Sequence, residues 1–166
     1  MFGGILMTPS EVTLEISPSA RVDIIDIRRL LSVLHADVLN AFPRALYCSF
    51  HTTAGFLEQG LASRLDGGQE GVNDYLRVFQ TMFPEGAGYE HDKMHLRSEL
   101  TEEQRQVEPR NADSHLAFIG AGLRNCVTYV NRPNEPVYFV DLDGMNAGRP
   151  RRRLTSILGF HKEEVV

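Results

Sequence analysis

From Glu11 to Ser17 hydrophobic and polar residues alternate, with Val12, Leu14 and Ile16 on one side, the pattern of a half-buried strand. Pro18-Ser19 reads as a turn, and Arg21 to Ile25 has room for a short second strand. After Asp26, a candidate N-cap, the spacing changes. Ile27, Leu30, Leu31, Leu34 and Val38 form a helical stripe with His35 beside it, and Pro43 stops the helix. Leu46 to Thr53 is a third strand-like run, whose apolar start gives way to His51, Thr52 and Thr53 before Ala54-Gly55. Phe56, Leu57, Leu61 and Leu65 then follow helical spacing, weakened by Gly60. Asp66-Gly67-Gly68 is a turn. Gly71 to Phe83 is a second helix, with Val72, Leu76, Phe79 and Phe83 on its inner side.

The second half is marked by a polar stretch, Lys93 to Arg110, which reads as a solvated insertion, partly helical around Glu99 to Gln106. Asn111 can cap a short helix to Ile119, closed by Gly120 to Gly122. Three strand-like runs follow, Cys126 to Val130, Val137 to Leu142 and Leu154 to Leu158. Pro133-Asn134 and Asp143-Gly144 supply the turns between them. Strands outnumber helices, and the last strands are close in sequence. The expectation is an α+β domain, an antiparallel β-sandwich with two or three flanking helices. It spans 9–160, with loose tails at 1–8 and 161–166.

A chain of 166 residues fits one domain. The formal net charge of -5 argues against a general nucleic-acid binder. No stretch approaches the ~18 apolar residues of a membrane span. The N-terminus lacks the basic region and the apolar length of a signal peptide. A cytoplasmic protein with no nucleic-acid or membrane partner is expected. Cys48 and Cys126 both lie in apolar runs and read as buried, reduced thiols.

Three polar stretches stand out as candidate chemistry. They are His51-Thr52-Thr53-Ala54-Gly55, Tyr89-Glu90-His91-Asp92 and Asn111-Ala112-Asp113-Ser114-His115-Leu116. Imidazole is a common zinc ligand, and three ligands with an open position is the catalytic arrangement. From spacing alone His51, His91, His95 and His115 are candidates without a decisive motif. Asn111 and His115, four apart, share a face if their segment is helical, and Asp113 can cap that helix or steady an imidazole. Thr52 and Thr53 can donate to an anionic substrate or simply suit a strand end. In an extended strand Arg151 and Arg153 share one face and Arg152 takes the other. Two guanidiniums on one face suit a phosphate or diphosphate; the competing reading is an edge protected by charge. Asp141 and Asp143 can bind a hard cation or shape the turn before Gly144.

Taken in order, His51-Thr52-Thr53-Ala54-Gly55, Tyr89-x-His91-Asp92, Asn111-Ala112-Asp113-x-His115-Leu116, Asp143-Gly144 and Pro150-Arg151-x-Arg153 resemble the YjbQ-like family, often labelled secondary thiamine-phosphate synthase. The resemblance runs from about Glu11 to Phe160. It implies a compact α+β fold built on a β-sandwich, a homotrimer, and a metal-binding histidine cluster that carries over to His51, His91 and His115. It also implies a divalent metal, zinc or alternatively magnesium, and a small phosphorylated substrate. The implied reaction joins an aminopyrimidine diphosphate to a thiazole phosphate. In that scheme Arg151, Arg153 and Asp113 are catalytic candidates, and Thr52, Thr53 and Asn111 bind substrate.

The chain departs from the family pattern at several places. Glu58-Gln59-Gly60 sets the acid that follows the threonines at a different offset. The family's tryptophan-containing segment is absent, Arg132 to Val137 taking its region, and the chain has no tryptophan. Met145 to Arg149 is additional, and the polar insertion is longer than the family's. These differences fall on the substrate side of the site. The alternatives are a metal-dependent hydrolase of a phosphorylated or acyl substrate, and a non-catalytic trimeric metal-binding protein.

Overall fold

The computed structural model describes residues 8–36, 38–132 and 134–161. The expected tails at 1–8 and 161–166 lie almost wholly outside the described residues. In chain order the strands are β1 (Ser10–Ile16), β2 (Asp23–Asp26), β3 (Arg44–Ser49), β4 (Ala54–Phe56), β5 (Cys126–Val130), β6 (Tyr138–Asp141), β7 (Met145–Asn146), β8 (Arg149–Pro150) and β9 (Arg153–Phe160). The helices are α1 (Ile27–His35), α2 (Gln59–Ala62), α3 (Gln69–Met82), α4 (Glu102–Val107) and α5 (Ala112–Gly120). Among the described residues no helix is long and apolar enough to cross a membrane.

All strand pairings are antiparallel. One sheet has the order β1-β9-β3-β5, the second β2-β6-β4, and β7-β8 is a small separate hairpin. Alternation decides what lies between the sheets. Leu14, Ile16, Tyr47, Val127 and Ile157 point inward from the larger sheet and meet Phe56 and Phe139 of the smaller one, with Ile27 and Leu31 of α1. The smaller sheet uses its other face as well. Ile24 and Val140 pack there against Val72 and Leu76 of α3 and Ala117 and Phe118 of α5. The result is sheet on sheet on helix, an α+β sandwich.

Several local expectations are met. Asp26 caps α1, accepting from Arg29 N at 3.0 Å. The insertion holds α4, whose start is a reciprocal capping box of Thr101 and Gln104. Others need correction. Helix α1 ends at His35, and Ala36 takes a φ of 53°, so the chain turns well before Pro43. The run Leu46–Thr53 is not one strand. Strand β3 stops at Ser49, and the chain crosses to the second sheet to begin β4 at Ala54. Ser49 makes the crossing: its Oγ donates to Ala54 O at 2.6 Å and accepts from His51 N at 3.3 Å. A side chain that satisfies backbone groups locally offers an alternative to the ladder. The helical reading of Phe56 to Leu65 shrinks to α2, because Ala54–Phe56 pairs with β6. The additional residues Met145 to Arg149 contribute to the β7-β8 hairpin. Cys48 and Cys126 are not buried: Cys126 is exposed and Cys48 is half-buried.

Candidate functional site

Two of the three polar stretches meet directly. His91 lies in a one-turn 3-10 segment, Glu90–Asp92, and His115 lies in α5. Their ring centroids are 5.1 Å apart and the planes are inclined by 58°. Asp92 joins the two segments. Its Oδ1 lies 3.0 Å from His91 Nδ1 and accepts from Ala112 N, the first amide of α5, at 3.1 Å. A carboxylate at a helix N-terminus is favoured by the dipole and by the orphan amides there. With Nδ1 turned to Asp92, His91 presents Nε2 to the site. His115 makes no side-chain hydrogen bond among the described residues. Burial holds its imidazole below the usual histidine range, and His91 adds to the effect.

Asn111 occupies the N-cap position of α5, yet its side chain does not cap the helix. It is buried, and Nδ2 donates to Asp143 Oδ2 at 2.6 Å. Asn111 Oδ1 is also buried and has no hydrogen-bond partner among the described residues. A buried acceptor without a donor is costly, so this oxygen is an unsatisfied polar group at the start of α5. Asp143 also pairs with Arg151 Nη1. Burial pushes the Asp143 carboxyl up, against the Asn111 hydrogen bond and the charges of Arg151, Arg153 and Arg21.

Asp113 is 6 % exposed and makes no hydrogen bond to an imidazole among the described residues. It holds Arg21 through two bonds, Nη1 to Oδ2 at 2.9 Å and Nη2 to Oδ1 at 3.0 Å. Asp113 therefore anchors α5 to the segment before β2 and neither caps the helix nor steadies an imidazole. Arg21 was missed in the sequence; an isolated arginine in a loop carries no motif.

The arginine cluster divides in the manner its spacing suggests, but not with the consequence expected. Arg152 is exposed and pairs with Glu15 at 2.6 Å. Arg153 is buried. Its Nε and Nη2 donate to Asp141 at 2.6 and 2.7 Å, and Nη2 also reaches Asp143 O at 2.6 Å and Thr53 Oγ1 at 3.3 Å. These partners take Nε and Nη2, and with the residue only 2% exposed Arg153 presents little guanidinium surface to a phosphate alongside Arg151. Asp141 is taken in the same way and is not a free cation ligand. Thr53 is buried against Arg153, while Thr52 is exposed. The signal for this network was present as two period-two pairs, Asp141-x-Asp143 and Arg151-x-Arg153, which fall at the end of β6 and the start of β9.

His51 lies on the turn between the two sheets. Its Nε2 accepts from Leu154 N at 2.8 Å, and its carbonyl accepts from Asn125 Nδ2 at 2.5 Å. Burial holds its imidazole below the usual range, and Arg153 and Arg151 contribute; Arg151 also acts on His115 in the same direction. Arg151 pairs with Asp143, which in turn holds Asn111, so its direct link is to the third stretch. Among the described residues, no three His, Cys, Asp or Glu side chains form a group able to hold a metal as they stand. His95, in the 3-10 segment Met94–Leu96, is exposed.

Beside the His91 turn opens a cavity of ≈ 660 Å³ lined by Tyr89, Asp92, Lys93, Met94, His95 and Arg110, with Glu85 and glycines at its edge. That volume lies within the ~300–1,000 Å³ of small-molecule sites. The polar insertion supplies much of this wall.

A YbjQ-like protein of unknown function from Sulfolobus solfataricus P2 superposes with a TM-score of 0.57 over 93% of this chain and 99% of its own, at 14% identity. The fold is that of the YjbQ-like proteins. A protein of the YjbQ/UPF0047 family from Clostridium acetobutylicum matches with a TM-score of 0.56, at 18% identity over 88% of this chain and 97% of its own. A hypothetical protein from Aeropyrum pernix K1 gives 0.58, at 15% identity over 92% and 99%. No protein-family model and no curated protein matches the chain. These YjbQ-like relatives in fold are described as uncharacterised or of unknown function, and the likeness extends to architecture alone.

Proposed function

We propose that the His91–His115 site acts on a small phosphorylated substrate with a divalent metal, zinc or magnesium, in a reaction of the secondary thiamine-phosphate synthase type. The observation that carries this reading is the pair of imidazoles at 5.1 Å beside the unpartnered Asn111 oxygen. His91 Nε2, oriented by Asp92, and the neutral-favoured His115 are suited as ligands, and a carboxylate behind a ligating histidine is a common support. His51 becomes a third ligand through Nε2 only by releasing Leu154 N. When bound, a divalent metal supplies positive charge for a diphosphate leaving group. The chain's own share is positioning and charge. Arg151, whose side chain is 29% exposed, is the accessible guanidinium of the cluster. Arg153 holds Thr53 and Asp143 in place behind it. Lys93 and Arg110 add cations along the adjoining cavity.

Assembly as a homotrimer belongs to the same proposal. Leu46, Leu158 and Phe160 turn outward from the four-stranded sheet and are only half-buried, an apolar surface that another copy can cover. Sedimentation of the purified chain tests this, and a monomer at all concentrations would end it.

The deciding experiment is metal analysis of protein purified without chelator, beside His115→Ala, followed by assays with aminopyrimidine diphosphate and thiazole phosphate. About one metal per chain, lost in the variant, with pyrophosphate release that stops on chelation, is expected. A metal-free wild type removes the metal from the reading. Chelator-sensitive hydrolysis of phosphate esters without condensation would favour the hydrolase, for which Asp92 against His91 supplies a carboxylate–imidazole pair. Metal without turnover of either kind leaves the non-catalytic trimer.

A further inference from the structure

The outer face of the four-stranded sheet carries a second chemistry at its end nearest the His51 turn, one same-face rung beyond Leu46 and Leu158. Cys48 in β3 and Cys126 in β5 are direct cross-strand partners. The next pair toward the site, Ser49 and Asn125, makes a backbone bond, Ser49 N to Asn125 O at 2.7 Å. Bonded and non-bonded pairs alternate along an antiparallel ladder. The two cysteines therefore occupy a non-hydrogen-bonded position, where Cα atoms approach to about 4.5 Å and side chains lie closest. That separation falls inside the ~4.4–6.8 Å in which a disulfide closes without backbone movement. Both cysteines are free, and Cys126 is exposed. The polar neighbour across from Cys48 on β9, Ser156, is already engaged with Thr13 at 2.9 Å.

We propose that Cys48 and Cys126 are a reversible dithiol–disulfide site, closed by exchange with a small disulfide such as oxidised glutathione. The exposed Cys126 thiolate attacks one sulfur of that disulfide and expels a thiolate, forming a mixed disulfide. The Cys48 thiolate then attacks Cys126 Sγ and expels the second. The two protons given up by the cysteines end on the two released thiols, so one dithiol is oxidised and one small disulfide is reduced. Cys126 is the first attacker because it is the exposed partner, while burial, with the contact to Cys126, pushes the half-buried Cys48 thiol up.

The position gives the bond a consequence. Asn125, next to Cys126, donates to His51 O, and Ser49, next to Cys48, accepts from His51 N. A bond between the cysteines ties the two strands together at the base of the His51 turn.

The test uses the full chain in glutathione redox buffers, acid-quenched and read by intact mass and non-reducing electrophoresis. The wild type is expected to lose two hydrogens within one chain and regain them with dithiothreitol. Cys48→Ser should accumulate a stable glutathione adduct at Cys126. Cys126→Ser should react at least tenfold more slowly. Amide exchange at Ser49, whose N–H bonds to Asn125 O, and at His51, whose N–H bonds to Ser49 Oγ, should slow severalfold on oxidation. Glutathione on both cysteines without an internal bond, a chain-to-chain crosslink, or two thiols that stay free would each overturn the site. Unchanged exchange in the oxidised wild type would overturn the coupling to the His51 turn. The wild-type mass shift decides the chemistry even if a serine variant fails to fold.

Discussion

Arg153 grips both carboxylate oxygens of Asp141, and the two side chains are 2% and 0% exposed. Removing one partner leaves an unpaired buried charge, which typically costs ~3–5 kcal/mol. Asp141→Ala should therefore lower the denaturation midpoint sharply. Replacing both residues with apolar side chains of similar volume should recover much of the loss. Chemical denaturation of the single and double variants measures this, and a mild single variant would mean that water reaches the pair.

Asp92 is expected to affect metal uptake more than folding. Asp92→Ala removes a helix-capping acceptor, worth about 1 kcal/mol, and the hydrogen bond that orients His91. If the imidazoles ligate a metal, its affinity should fall ~10–100-fold, the usual cost of losing a partner behind a ligand. Isothermal titration with zinc reads the affinity and thermal unfolding reads the cap. Equal zinc affinity in the two proteins would detach Asp92 from the site.

The two half-buried imidazoles give acid sensitivity a defined sign. His51 and His115 have folded-state pKa values below their ordinary 6.5. Around and below 6.5 the unfolded chain binds more protons than the folded one, so stability rises with pH there. Their contribution is fully present above about pH 6.5 and is lost as pH falls toward the lowered folded values. His115→Gln should flatten this slope in urea midpoints taken between about pH 7.5 and 5. A steeper slope in the variant would reverse the assignment.

Gly144 turns the chain after Asp143 where there is no room for a side chain. A Cβ there would lie 2.5 Å from Ala20 O and 2.6 Å from Pro18 Cβ. Gly144→Ala should cost about 1–3 kcal/mol through forced displacement, and should disturb the Asp143–Arg151 pair. Differential scanning calorimetry should show a lower midpoint, and unchanged melting would mean that the β1–β2 connection yields easily.

Much of the fold was readable because its signals are local. The alternation of Val12, Leu14 and Ile16, the stripe Val72–Leu76 and the Asp26 cap each need only a few neighbours to be meaningful. The site was readable as a set of residues, but not as a set of partners. Asn111 sits where a cap belongs, yet Asp92 takes over beside it at the first amide, because the 3-10 turn brings a carboxylate to the helix start. Asp113 pairs with Arg21, 92 residues away. The cysteines share apolar runs that read as buried, but they occupy the outward positions of adjacent strands.

The residue pattern alone determined the α+β class, the inward faces of most strands, the Asp26 cap and the polar character of three stretches. Those follow from periodicity and from short-range hydrogen bonding. The sheet order β1-β9-β3-β5 set Cys48 against Cys126 and left Leu154 N to hold His51, and the packing of the second sheet on the first matched Arg153 with Asp141. Such pairings depend on which distant strands lie side by side, and no local pattern encodes that adjacency. The chain carries the chemistry in its side chains, and long-range burial decides which of them remain free to act.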